Sequence, residues 1–292
     1  MPELPEVETI YLGLERLIKG KRFESVTFDV QKSFPNSYNE VDQFMINATV
    51  IGIQRRGKAL LIELNSNYSL IVHLRMTGQL VYEGKEIRFG GGHPSSSLLN
   101  SLPDKSTRVV VTFTDGSKLY FNDQRKFGWM RLYPTSQINS LPFFAKLGPD
   151  PLDNLFTWQD LRQRLQKRTQ SSIKSVLLDQ GVVSGVGNIY ADESLWGAQI
   201  HPATKVQALK IRDYKALYAS LVSVLRLSIE KGGSTDRNYV NAEGKKGNYL
   251  EIAKVFRKEG RPCPRCGTEI IKIRFAGRGT HLCPRCQKVK TA

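Results

Sequence analysis

The chain opens Met1-Pro2-Glu3-Leu4-Pro5-Glu6. A small second residue such as proline is commonly exposed when the initiator methionine is removed, which here would leave the secondary amine of Pro2 at the terminus. A free amine can attack an electrophilic carbon and form a Schiff base. Its reference pKa lies near ~7.7–8.0, so a useful fraction is neutral at neutral pH, unlike an ordinary lysine. Glu3 and Glu6 set carboxylates close by. The same residues also suit the first turn of a helix, where proline is tolerated and acids favour the dipole. The stretch by itself leaves both uses open.

The far end carries a second reactive set. All 4 cysteines fall near the C-terminus as Cys263, Cys266, Cys283 and Cys286, two C-x2-C pairs. Such pairs can place four thiolates tetrahedrally around one zinc. Two disulfides are the alternative, but they suit secreted chains, and no secretion signal opens this one. One structural Zn2+ per chain is expected, because four thiolates leave no open position for water.

These groups need elements to position them. Val7, Ile10, Leu14, Leu17 and Ile18 recur at helical spacing, which predicts an amphipathic helix over about 5–18. Leu60–Leu64 and Ser69–Leu74 flank an Asn-Ser-Asn turn, and Val109–Thr114 and Lys118–Phe121 flank Asp115-Gly116, so both read as hairpins. Gly90 to Ser97 reads as a flexible Gly/Ser loop. Helical sequence follows over 158–167, 172–179, 188–196 and 213–231. The expected division is a β-sandwich domain over 1–135, an irregular entry segment over 136–153, a helical domain over 154–231, a Gly-rich loop over 232–250 and a zinc ribbon over 251–292. The fold class is α+β and multidomain: an antiparallel β-sandwich with a flanking helix, then a helical module with a β-hairpin ribbon.

Lys and Arg total 43 against 27 acidic residues, a net charge of +16 over 292 residues. That excess implies a polyanionic partner, most often nucleic acid. An anionic membrane surface is the blander alternative, yet no apolar run approaches a membrane span. A soluble, cytoplasmic, DNA-binding protein is expected. The segment Asp179 to Asn188 joins two helices through three glycines, and the second helix starts near Asn188. It serves as well for a phosphate contact at a helix N-terminus as for a packing corner.

MPELPEVET at the start, GVGNIYADESL in the middle and CPRCG…GRGTHLCPRCQ at the end resemble, in order and over essentially the whole chain, the formamidopyrimidine-DNA glycosylase family. The resemblance implies a helix–two-turn–helix module after the sandwich, with DNA gripped between the domains. It implies a monomeric, bifunctional DNA glycosylase and abasic-site lyase of base excision repair. Its substrate would be double-stranded DNA containing 8-oxoguanine opposite cytosine, formamidopyrimidines or abasic sites. Pro2 matches the nucleophile that attacks C1′, and Glu3 the residue that protonates the sugar ring oxygen. Glu6 matches a residue orienting the terminus. Lys58 matches a cleft lysine assisting β-elimination, and Arg278, between Gly277 and Gly279, the lesion-phosphate arginine of δ-elimination.

Met76, Arg125 and Phe127 match the side chains that fill the void left by an extruded nucleotide, with Arg125 facing the orphaned cytosine. His73, Lys174 and Asn188 match phosphate contacts. Ser234 and the amides of Asp236, Arg237, Asn238 and Tyr239 match the segment that reads the oxidised base. The chain departs from the family at Lys105-Ser106-Thr107-Arg108, where a histidine-containing stretch is common. Arg108 is expected to take over that phosphate contact. Gln170 stands where a basic residue is common, and the Gly/Ser segment near His93 is long. Two rivals remain: an endonuclease VIII-like enzyme for oxidised pyrimidines, and a damaged-DNA-binding protein without catalysis.

Overall fold

The structure is a computed structural model that describes residues 1–93, 95–234 and 249–291. The chain divides into two compact units, residues 1–145 with 231–248, and residues 146–230 with 249–292.

The first unit is a β-sandwich. Helix α1 spans Leu4–Ile18, and α2 spans Tyr38–Phe44 behind a Ser37–Glu40 capping box. Strands β1 (Phe23–Phe28), β2 (Val50–Arg56), β3 (Ala59–Leu64), β4 (Tyr68–His73), β5 (Gly78–Glu83), β6 (Arg88–Gly92), β7 (Thr107–Phe113), β8 (Lys118–Asp123) and β9 (Trp129–Pro134) form two antiparallel sheets. Their orders are β2-β3-β4-β9 and β1-β7-β8-β5-β6. The apolar stripe of α1 joins the core between them: Val7, Ile10, Leu14 and Ile18 are fully buried with Leu60, Ile62, Val72, Phe113 and Phe121. Each such side chain contributes roughly 1.5–3 kcal/mol. Gly13 lets α1 approach β6, since a Cβ there would sit 2.1 Å from the Phe89 ring.

Both expected hairpins form, with Asn67 and Gly116 at positive φ in their turns. The flexible loop expected over 90–97 is corrected. Gly90, Gly91 and Gly92 pair with Val81, Leu80 and Gln79 as an edge strand. A Cβ at Gly92 would lie 2.4 Å from the Gly78 carbonyl oxygen, so these glycines permit close packing. The segment expected to be irregular contains a 3-10 helix over Thr135–Ser140 and the one-turn α3 over Pro142–Ala145.

The second unit contains α4 (Trp158–Gln166), α5 (Ile173–Leu177), α6 (Asn188–Gly197), α7 (Ile211–Glu230) and the short α8 (Tyr249–Ile252). Strands β10 (Ile271–Phe275) and β11 (Arg278–Leu282) make the ribbon hairpin. Helix α6 is buried along Tyr190–Leu195, and Tyr190 reaches Ser228 of α7 through a 2.6 Å hydroxyl pair. Gln180 closes the α5–α6 turn. Its amide NH2 donates to the carbonyls of Leu178 and Val186, and its oxygen accepts from the Gly185 N–H.

Candidate active site and nucleic-acid interface

Strand register brings the first unit's candidate residues to one end of the sandwich. Ala59, just past the Gly57-Lys58 turn, pairs with His73, and His73 pairs with Trp129. In the other sheet Gly78 faces Asp123. The turn carrying Lys58, the turn carrying Met76 and the turn carrying Arg125 and Phe127 therefore share that end. Helix α1 runs along β2, with Glu15 accepting from the Ile53 N–H and Glu8 paired with Arg55. Its N-terminus thus points toward the Lys58 turn. Arg55 also donates to the Gly57 carbonyl at 3.3 Å, so Glu8 and Arg55 tie α1 to the Lys58 turn. Sequence reasoning missed both, because nothing local marks a strand arginine as the partner of an acid 47 residues away.

Pro2, Glu3, Glu6 and Lys58 are buried, whereas Met1 is exposed. The Glu6 carboxylate accepts the Glu3 N–H at 2.7 Å with one oxygen and the Ser234 N–H at 2.7 Å with the other. Ser234 is the described end of the segment expected to read the base; Asp236, Arg237, Asn238 and Tyr239 lie outside the described residues.

Met76 and Phe127 are exposed, at 39% and 44%, which leaves both free to meet a partner. The Arg125 guanidinium lies over the Phe127 ring, 4.8 Å from its centroid.

Two expected phosphate contacts, Arg108 and Lys174, are corrected, and His73 stands as a neutral ring. His73 is 5% exposed, and its Nδ1 accepts the Arg75 N–H at 3.1 Å. Burial, with the nearby cations of Arg75 and Lys58, pushes its pKa down to about 3, so the ring is neutral and, with Nδ1 accepting, carries its proton on Nε2 as a hydrogen-bond donor. Arg108 is 6% exposed and fully engaged. Its Nε donates to the Asp123 carbonyl, one terminal nitrogen pairs with Asp29, and the other donates to the Lys105 carbonyl. Lys174 is entirely buried, with Nζ 2.5 Å from Asp192 Oδ1 and 2.6 Å from Thr280 Oγ1. An ammonium so enclosed holds the fold together and cannot release a DNA counterion.

The second unit presents Arg278 at the start of β11. Ala276 and Gly277, both at positive φ, make a two-residue hairpin turn, and Arg278 is exposed beside it. The Asn188 side-chain NH2 donates to the Gly279 carbonyl at 2.9 Å, tying the start of α6 to the hairpin tip. Asp192 of α6 accepts the His281 N–H at 2.9 Å. Its neighbour Glu193 accepts the N–H groups of Lys254, Val255 and Phe256, each at 2.8 Å. Burial raises the Glu193 pKa, against those donors. Two adjacent buried acids on α6 thereby anchor the start and the return strand of the ribbon.

The Sγ atoms of Cys263, Cys266, Cys283 and Cys286 all lie within 4.8 Å of one another. Tetrahedral Zn–S bonds of about 2.3 Å require sulfurs roughly 3.8 Å apart, so the set fits one structural zinc. Trp196 of α6 donates its indole N–H to Cys263 Sγ at 3.4 Å, and Arg265 stacks over the same ring at 4.1 Å. Outer donors of this kind fix the ligands and offset thiolate charge.

A sandwich that gathers an N-terminal helix start and basic turns at one end, joined to a helical module and a zinc ribbon with an exposed arginine, defines a zinc-ribbon DNA-processing protein. Three family models match: the formamidopyrimidine-DNA glycosylase N-terminal domain over residues 1–130, the formamidopyrimidine-DNA glycosylase H2TH domain over 147–239, and the zinc finger found in FPG and IleRS over 260–289. The chain belongs to the formamidopyrimidine-DNA glycosylase family. It is 40% identical to the formamidopyrimidine-DNA glycosylase of Ligilactobacillus salivarius, covering 100% of both chains, and 41% identical to that of Enterococcus faecalis, covering 99% and 98%. Its structure is similar to a Lactococcus lactis FPG point mutant complexed with DNA containing Fapy-dG, and to Lactococcus lactis Fpg complexed with DNA containing an abasic site. Both have TM-score 0.85 and 36% identity over 98% of this chain, covering 100% and 99% of the solved chains. Among the described residues no helix is long and apolar enough to cross a membrane.

Proposed function

We propose that this protein is a monomeric, cytoplasmic DNA glycosylase and abasic-site lyase that removes 8-oxoguanine opposite cytosine and formamidopyrimidines from duplex DNA. The observation that carries the reading is the convergence, in a member of this family, of the start of α1, the Lys58 turn and the Met76 and Arg125–Phe127 turns at one end of the sandwich. Met76 and Phe127 fill the gap left by the extruded nucleotide, and Arg125 donates to the orphaned cytosine. The Pro2 amine, freed of Met1, attacks C1′; the C–N bond to the base breaks, the bonding pair leaves with the base, and the amine's N–H proton neutralises the departing base. Glu3 gives a proton to the ring oxygen, and the sugar opens as an iminium. Loss of a proton from C2′ then expels the 3′ phosphate, and a second elimination expels the 5′ phosphate. Lys58 and Arg278 stabilise the departing phosphates. Ser234 and residues 236–239 read the oxidised base. Asn188 holds the Arg278 hairpin against α6 and borders the backbone contact.

Borohydride trapping on an 8-oxoguanine·C duplex tests this. A covalent protein–DNA adduct is expected, and it is lost or strongly reduced in Pro2→Gly. Preference for thymine glycol over 8-oxoguanine would assign the pyrimidine branch instead, and tight binding of abasic DNA without an adduct would leave a binding protein.

A further inference from the structure

The three void-filling side chains stand on two turns that share no sequence, and one carboxylate lies between the turns. Asp123, at the end of β8, is completely buried. Its Oδ1 accepts the Arg125 N–H at 3.1 Å and the Thr77 hydroxyl. Its Oδ2 accepts the N–H groups of Phe127 at 2.8 Å and Gly128 at 2.6 Å. A carboxylate offers about four lone-pair sites; here four donors fill them. Thr77 directly follows Met76, and its hydroxyl oxygen also accepts the Arg125 N–H at 3.1 Å. The turns so held are costly ones, with Arg75 at φ 51° and Lys126 at φ 57°. Non-glycine residues take such angles when the surroundings over-determine them.

The main chain of Asp123 is fixed as well. Its N–H donates to the Ser106 carbonyl at 2.8 Å, and its carbonyl accepts from Arg108 Nε at 2.9 Å. Ser106 and Arg108 are the positions where this chain departs from the histidine-containing stretch. Their place in the fold is behind the clamp.

We infer that Asp123 is a positioning residue that pre-organises Met76, Arg125 and Phe127 as one rigid insert. The inference rests on the function proposed above. Side chains ordered before binding forfeit less entropy when they enter the base stack, so the clamp acts on extrusion and on reading the opposite base. It touches neither the substrate's reacting atoms nor the Schiff base.

The test uses the full chain. Asp123→Asn keeps the shape but turns one acceptor oxygen into a donor facing N–H groups. Single-turnover excision from an 8-oxoguanine·C duplex is expected to fall roughly 10- to 100-fold, as for loss of charge-assisted hydrogen bonds. The preference for cytosine over adenine opposite the lesion is expected to flatten. A 2-aminopurine placed beside the lesion should show slower unstacking. Borohydride trapping on a single-stranded abasic oligonucleotide, which has no stack to fill, should change less than about threefold. Thr77→Val should show a smaller loss of the same pattern, and Thr77→Ser, which keeps the hydroxyl, should restore the duplex rate. Equal losses on duplex and single strand, or no loss on either with an active wild type, overturn the inference. A wild type that traps on neither substrate overturns the function beneath it and the inference together.

Discussion

Lys174→Met removes an ammonium that neither water nor DNA can reach. Lys174 and Asp192 are both 0% exposed, 2.5 Å apart, and Thr280 supplies the second partner of the ammonium. Without the lysine, the carboxylate keeps the His281 N–H at 2.9 Å and a 3.3 Å approach from His281 Nδ1. Breaking one partner of a buried pair costs about 3–5 kcal/mol, whereas a surface lysine changes stability by about 0.5 kcal/mol or less. Asp192→Asn added to Lys174→Met removes the stranded charge yet keeps an acceptor for His281. The double variant should therefore recover part of the loss, with a coupling of about 2 kcal/mol in the cycle. Urea unfolding of the zinc-loaded proteins gives these values. Binding to a duplex with an abasic-site analogue, measured across salt concentrations, gives the second readout. A phosphate-bound lysine would lower the slope of log K against log salt by about 0.9; the buried pair predicts no change. A stability loss below about 1 kcal/mol together with a reduced slope would refute the buried-pair account.

His73 makes stability depend on pH. The folded ring stays neutral down to about 3, while the unfolded ring takes a proton below 6.5. The unfolded chain thus binds more protons between those values, and stability falls as pH drops through that window. The contribution is about 2 kcal/mol at pH 5 and nil above pH 7. Denaturant midpoints of wild type and His73→Gln should converge as pH falls from 7 to 5, and parallel curves would discount the burial. For the zinc ribbon, Trp196→Phe deletes the donor to Cys263 Sγ and should weaken zinc retention about tenfold in a chelator competition. An unchanged release curve would show that the indole contributes packing alone.

What the sequence revealed was local. Four cysteines at two fixed spacings, the helical recurrence from Val7 to Ile18, and turns flanked by alternating strands all announce themselves within short windows. What stayed hidden depends on neighbours far along the chain. Lys174 finds Thr280 106 residues away, and Arg108 finds Asp29 at a separation of 79. Both basic residues look like nucleic-acid contacts until those acids and hydroxyls enclose them. The glycines of β6 read as a loop because their purpose, admitting backbone and Leu98 at short range, belongs to the other side of the contact. Asp123 gave no signal, since an acid at a strand end before a basic turn is ordinarily solvated.

The Glu6 carboxylate holds the main chain of Glu3 with one oxygen and that of Ser234 with the other. The two amides are thereby thermodynamically linked, and linkage runs both ways. A change that draws the carboxylate toward Ser234 loosens the start of α1, and a change that tightens the helix start pulls on Ser234. On the roles proposed for Pro2 and Ser234, substrate range and chemical competence would then share one adjustable part. Laboratory selection for a wider choice of damaged bases at the 234 end would carry reactivity with it, and its compensating substitutions would collect on the first two turns of α1 and not around the base.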